Sequence, residues 1–173
     1  ACAVIARTIQ PVTAVERLAV RATLGRVLAE DILSPIDVPA HDNAAMDGYA
    51  VRHADLNDTG PSTLQVVGTA FAGKPFLGPI DRGQAVRVMT GAVMPDGSDT
   101  VVIQEVVTRE ADRITVPPGQ APGQNRRRRG EDLSAGRPAL NAGRILTPAD
   151  LGLLASLGMA EVPVRRRLRV AFF

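Results

Sequence analysis

Leu24, Val27 and Leu28 recur at i, i+3 and i+4, the spacing of one helix face, and predict an amphipathic helix over roughly residues 22–31. Ser34-Pro35 and Pro39 end it and open an extended segment, because the residue before a proline is pushed out of the helical region. Residues 1–9 are apolar nearly throughout and read as the tail of a helix stopped by Pro11; Leu18-Ala19-Val20 is short and strand-like. From Tyr49 onward the period changes. Thr63 to Ala70 is rich in β-formers, Gly73-Lys74-Pro75 marks a turn, and Ala85 to Thr90 alternates with period two. Thr100 to Val107 predicts another strand. Glu110-Ala111-Asp112-Arg113 can turn a strand back on Ile114-Thr115-Val116, and short strands at this spacing suggest a small barrel. Residues 117–123 read as a loop. A second helix is signalled at Thr147-Pro148-Ala149-Asp150, with Thr147 as N-cap, Pro148 at N1, Asp150 near the positive helix end and Gly158 as the stop. The two helices flank the β region and are expected to pack on each other, leaving the barrel inserted in a discontinuous domain. There is no internal repeat.

At 173 residues with 45% hydrophobic content, the chain can bury a substantial core as one domain or two small ones. No apolar run approaches the ~20 residues of a membrane helix, and no secretory leader is visible, so a cytoplasmic location is expected. Cys2 alone cannot make an internal disulfide, and with His41 and His53 it does not make a zinc set; both histidines are expected to be solvated loop residues. Net charge is only +2, yet Lys74 is the single lysine. An arginine bias suits bidentate binding of an anionic ligand and equally suits a genome that favours arginine codons. Low aromatic content (3%, no tryptophan) argues against a stacking platform for single-stranded nucleic acid. Duplex contacts through 126–129 or 165–169 would be strongly salt-dependent, and no nucleic-acid partner is expected. The chain lacks an initiator Met and stops in the apolar run 169–173, which reads as the opening half of a buried strand and the whole as a fragment.

The chemistry-bearing stretch is Asp42-Asn43-Ala44-Ala45-Met46-Asp47-Gly48-Tyr49-Ala50, a polar loop leading into a strand. Two readings compete. In one, Asp42 and Asn43 form an Asx-turn, Asp47-Gly48 is a tight turn and Met46 plugs a core gap. In the other, a rigid loop presents carboxylates as base, acceptor or metal ligand. Thr90 sits at a strand end before Gly91, where its hydroxyl can bond a ligand oxygen or merely fill a strand position. Arg126 to Arg129, the strongest basic run, is either a phosphate clamp or a solvated face, with Arg128 and Arg129 the best ligand-contacting candidates. Arg165 to Arg167 reads as a solvated hinge.

Four collinear blocks decide between these readings. The first is the 42–50 loop. The second runs from Met89-Thr90-Gly91-Ala92 through Met94-Pro95-Asp96-Gly97-Ser98-Asp99-Thr100 to Glu105. The third is Gly123-Gln124-Asn125 with Arg127-Arg128-Arg129-Gly130-Glu131-Asp132. The last is Gly143 to Gly152, continuing to Gly158. Together they resemble the molybdopterin molybdenumtransferase family (MoeA and the gephyrin E domain), whose pattern is a Pro followed by Asp-Asn-Ser-Ala-Met-Asp-Gly-Tyr-Ala. The resemblance implies an α+β protein: a mixed α/β elongated domain at 1–40 and 139–168, an inserted mainly-β, barrel-like domain at 41–138, and at 169–173 the first strand of a further α/β catalytic domain.

It further implies insertion of molybdenum, delivered as molybdate, into adenylated molybdopterin with release of AMP, a divalent cation such as Mg²⁺ taking part. Asp47, Thr90 and Asp132 match catalytic positions. Asn43, Arg128 and Arg129 become substrate- or anion-binding candidates, and Asp47 is a candidate metal ligand. In the family the site is shared across a homodimer, so this chain alone is expected to be inactive. The alternative is a gephyrin-like scaffold that binds without catalysis, although no partner motif is visible. Three positions depart from the pattern: Ala44 stands where serine is usual and rules out hydroxyl chemistry there, His41 replaces an apolar or aromatic residue, and Arg126 replaces an apolar one.

Overall fold

The structure is a computed structural model that describes Arg7 and residues 10–172. In chain order its strands are β1 (Val15–Ala19), β2 (Ile32–Leu33), β3 (Asn43–Ala44), β4 (Gly48–Val51), β5 (Ser62–Ala70), β6 (Gln84–Val88), β7 (Thr100–Ile103), β8 (Thr108–Glu110), β9 (Arg113–Val116), β10 (Arg126–Arg127), β11 (Pro138–Leu140) and β12 (Glu161–Arg165), with helix α1 (Pro148–Ser156) before β12. Of the α+β fold expected, the described residues show a mainly β part together with helix α1. They cluster into two compact units, one of residues 37–134 and the other of 1–36 with 135–173.

Within 37–134 lies a six-stranded sheet of order β7-β4-β6-β5-β9-β8. All pairs are antiparallel except β5–β6. The expected barrel is a curled half-barrel. The outer edge of β7 is occupied by a loop, through Val101 N–H to Gln124 O (3.0 Å) and Asn125 Nδ2 to Val101 O (3.0 Å). Val101, satisfied in this way, has no backbone groups left for a strand that would close a barrel. Alternation along the central strands sends Ala50, Val86, Val88 and Val101 into one core and Tyr49, Val51, Ala85 and Val102 into another. The sheet is thus covered on both faces, which is why β4 is buried throughout. The expected strand at 100–107 is broken: after Ile103 the chain makes a 3₁₀ turn at Gln104–Val106 before β8.

In the other unit, β1 pairs with β12 and β2 with β11 around Leu28, Ile32, Leu146, Leu154, Val162 and Val164. Full burial of a side chain such as Leu28 or Leu154 (both 0% exposed) contributes about 1.5–3 kcal/mol. The expected helix at 22–31 does not form. A 3₁₀ turn at Val20–Ala22 gives way to Gly25 at φ +71°. The following amides bond across the unit instead, Gly25 N–H to Leu146 O (2.9 Å) and Leu28 N–H to Arg144 O (2.8 Å). Glycine weakens a helix interior, and the bonds gained elsewhere outweigh a three-residue apolar pattern. The second helix forms as read, with Thr147 and Asp150 in a reciprocal capping box.

Arg165 is no hinge residue: it closes β12 opposite Val15, and its Nη1 donates to Thr13 O (2.8 Å). Residues 169–172 form no strand, and Val170 and Phe172 are exposed, since an apolar run becomes a strand only where a neighbour takes its backbone bonds. The helix tail expected at 1–9 lies, apart from Arg7, outside the described residues, as does Cys2.

Candidate active site

The 42–47 loop is held on both sides by backbone bonds. On one side Ala44 N–H donates to Ala92 O (2.9 Å), Gly91 N–H to Ala44 O (2.8 Å) and Met94 N–H to Asp42 O (2.9 Å). On the other, β3 pairs with β10 and Ala45 N–H donates to Asn125 O (2.8 Å). The Ala44 methyl is buried in the core, where a serine hydroxyl would need a partner. The loop's exit is fixed too. A Cβ at Gly48 would stand 2.1 Å from Val102 O, so only glycine fits, and Gly48 opens β4 instead of completing a tight turn. Met46 is exposed and plugs no core gap.

This framing puts Asp47 against the end of β6. Its Oδ1 accepts from Thr90 Oγ1 and from Thr90 N–H, each at 2.7 Å. The Thr90 hydroxyl bond, then its amide bond, hold the Asp47 pKa below the usual carboxylate range, and the Arg87 charge adds to this. Asp47 is therefore an anion at neutral pH. Because the Thr90 proton is directed at that carboxylate, the Thr90 hydroxyl faces any ligand as an acceptor. Asp47 Oδ2 makes no hydrogen bond among the described residues.

The remaining candidates form a second cluster on either side of β10. Asp42 Oδ2 binds the Arg126 guanidinium, and its Oδ1 accepts from Arg129 N–H (2.7 Å). The Arg129 amide, with the Arg126 side chain, lowers the Asp42 pKa. Asp42 thus makes long-range pairs rather than a local Asx-turn. Arg129 Nε donates to Asp37 Oδ2 (2.6 Å). Arg127 bridges Glu131 (2.7 Å) and Asp132, and Arg128 contributes its N–H to Glu131 Oε2 (2.8 Å). Asp132, a catalytic candidate, is bonded to Arg127 and has no bond to Asp47 or Thr90. Asn43 Oδ1 is buried without a protein partner among the described residues. The structure thus brings Asp47 and Thr90 into direct contact and gathers Asp132, Arg128 and Arg129 into a separate, largely self-neutralised network.

Asp42, Arg126 and Asp37 escaped attention in the sequence as parts of that network. Their acidic and basic partners lie far apart along the chain, and only the arginine at 126, where the family pattern has an apolar residue, hinted at them. His53 is likewise no free loop residue, since its Nε2 lies 2.8 Å from Gln120 O. A cleft of about 320 Å³ is lined by His41, Asp42, Met94, Asp96, Ser98 and Arg129. A larger one, about 530 Å³, lies in the other unit around Arg26 and Arg165–Arg167 and touches none of the candidates. Among the described residues no group of three or more His, Cys, Asp or Glu is placed to hold a metal by itself, and no helix is long and apolar enough to cross a membrane.

Comparison with known proteins places the chain in a family. The chain is 50% identical over 159 residues to the molybdopterin molybdenumtransferase of Haemophilus influenzae, covering 91% of this chain and 39% of that protein. It is 44% identical over 161 residues to the enzyme of the same name from Synechococcus elongatus, covering 91% and 40%. The crystal structure of the molybdopterin biosynthesis moeA protein from Pyrococcus horikoshii OT3 superposes with a TM-score of 0.82 at 40% identity, over 91% of this chain and 42% of that one. The chain therefore spans about two fifths of the length of these relatives. Residues 1–158 match the family model described as the MoeA N-terminal region (domain I and II), and the chain belongs to that family.

Proposed function

We propose that this chain supplies the Asp47–Thr90 wall of a site that inserts molybdenum, delivered as molybdate, into adenylated molybdopterin with release of AMP. The observation that carries the reading is the pair itself: an ionised carboxylate, locked by two 2.7 Å bonds to one threonine, in a loop whose backbone is pinned on both sides. Relatives named molybdopterin molybdenumtransferase support it. A fixed anion beside an exposed hydroxyl can orient an incoming water or hydroxyl and accept its proton. Asp47 Oδ2 suits Mg²⁺, which binds through one or two carboxylates plus substrate phosphates; bound there, the ion would neutralise phosphate charge.

In this reading Asp132, Arg128, Arg129 and Asn43 are the adjoining substrate contacts. Asp132 gives one oxygen to Arg127 and keeps its other oxygen for a ligand. The complete site is shared between subunits of a cytoplasmic homodimer, so residues 1–173 alone do not turn over. The test is molybdenum insertion by the full-length protein carrying Asp47→Asn, which keeps the shape of the side chain and removes its charge. Activity should fall about 10²–10⁴-fold, the usual contribution of a positioned acid–base group. Insertion at the wild-type rate would overturn the assignment.

A further inference from the structure

Three of the four arginines of the 126–129 run are already engaged through their side chains, and the fourth, Arg128, belongs to the same network and has no bond to Asp47 or Thr90. Arg126 is paired with Asp42, Arg127 with Glu131 and Asp132, and Arg129 with Asp37. Arg87, the charge acting on Asp47, donates its Nη2 to Gln104 Oε1 (3.2 Å). Beside the Thr90 turn stands a different cation. The crossover between the parallel strands β5 and β6 begins with a tight hairpin in which Phe71 and Lys74 exchange two backbone bonds of 3.0 Å. Gly73 takes φ +76° at its tip, a conformation that glycine adopts without strain.

The hairpin is pressed onto the Thr90 turn. Met89 N–H donates to Ala70 O (3.2 Å), and the Ala72 methyl lies 3.7 Å from where a Cβ of Gly91 would be. Its exit is anchored by the Phe76 ring, which fills the space over Gly68 so closely that a Cβ there would come within 2.5 Å of Cε2. The tip is open nonetheless: Phe71 is half-exposed, and Lys74 is exposed with no side-chain partner among the described residues. The chain's single lysine therefore sits, unpaired, on a rigid hairpin adjoining the residue that holds Asp47.

We infer that Lys74 binds a phosphate group of the ligand taken by the Asp47–Thr90 site, with the 71–74 hairpin as that site's second wall. This rests on the proposed function above. A phosphate-bearing ligand brought next to the Asp47 anion is repelled unless a cation meets it from another side. An ammonium, with three rotatable donors on a flexible stem, serves as that point charge.

The test is an amide-resolved NMR titration of the 173-residue chain with inorganic pyrophosphate at low ionic strength. Saturable shifts are expected at residues 72–74 and 90–91. Lys74→Ala should weaken binding about tenfold, the size of one charge-assisted hydrogen bond, and Lys74→Arg should stay within about threefold of wild type. Asp47→Asn should tighten binding by removing the repulsion. Unchanged affinity in Lys74→Ala, shifts confined to 126–131 around Arg128, or no saturable shifts at all would each overturn the inference. Molybdenum insertion by full-length Asp47→Asn reads the parent proposal separately. Loss of insertion with a silent Lys74→Ala sinks only the lysine's role, and the converse sinks only the reaction.

Discussion

Gly48 leaves no room for a methyl, since the clash at 2.1 Å would be with the Val102 carbonyl and not with a side chain that could swing away. Gly48→Ala is expected to destabilise the protein by about 3 kcal/mol or more, the upper range of overpacking, read as a lower urea midpoint. Asp150 has the opposite kind of constraint, being held by its partners. Its pKa is lowered to about 2, first by the Arg144 side chain (3.0 Å) and then by the Thr147 amide and hydroxyl. In the unfolded chain an aspartate titrates near about 3.9, so the unfolded state takes up the proton first as pH falls. The stability Asp150 confers is therefore complete above about pH 4 and is lost progressively toward about pH 2. Urea midpoints measured across that window should fall less steeply in Asp150→Asn than in wild type. Legibility at this scale follows sequence distance: Thr147 and Asp150 are three positions apart and readable, whereas the partners of Asp42 lie across the unit in Arg126 and Arg129.

Among the elements, α1 shows what local signals can do. Thr147, Pro148, Asp150 and Gly158 each point to the same boundaries, and the capping box forms as expected. Thr147→Ala should cost about 1 kcal/mol, the usual value of an N-cap, while Leu154→Ala, emptying a fully buried position, should cost about 2–5 kcal/mol. Thermal unfolding of the two variants would separate a frayed helix end from a hollowed core. The segment 22–31 is the counterexample. Of its apolar residues at i, i+3 and i+4 only Leu28 joins the core of Leu154, while Leu24 is 54% exposed; Gly25 and the amide bonds to Arg144 and Leu146 decide the backbone. The apolar spacing could not reveal which carbonyls were waiting. The alternation at 85–90 was reliable because both faces of β6 meet a core, and the half-barrel was not read because its edge is covered by a loop, through the Gln124 carbonyl and the Asn125 side chain.

On the scale of the whole molecule, each unit has its own hydrophobic clusters. Residues 37–134 expressed alone should unfold cooperatively and keep the amide shifts they show in the longer chain. An excised unit with dispersed signals lost would show that its core is not self-sufficient. The ends of this unit are paired: Val38 forms an antiparallel bridge with Leu133, its N–H donating to Leu133 O (2.7 Å). Just outside, Ser34 N–H meets Arg137 O (2.9 Å). For the unit built from 1–36 and 135–173, everything between these bonds is one very long loop. Closing a loop of that size in an unfolded chain costs about 2–3 kcal/mol more than closing a short turn. Once 37–134 has folded, that penalty is already met, because Val38 and Leu133 hold the two strands of the neck side by side. The neck thereby sets an order of assembly: β2 and β11 should gain hydrogen-exchange protection only after the six-stranded sheet has.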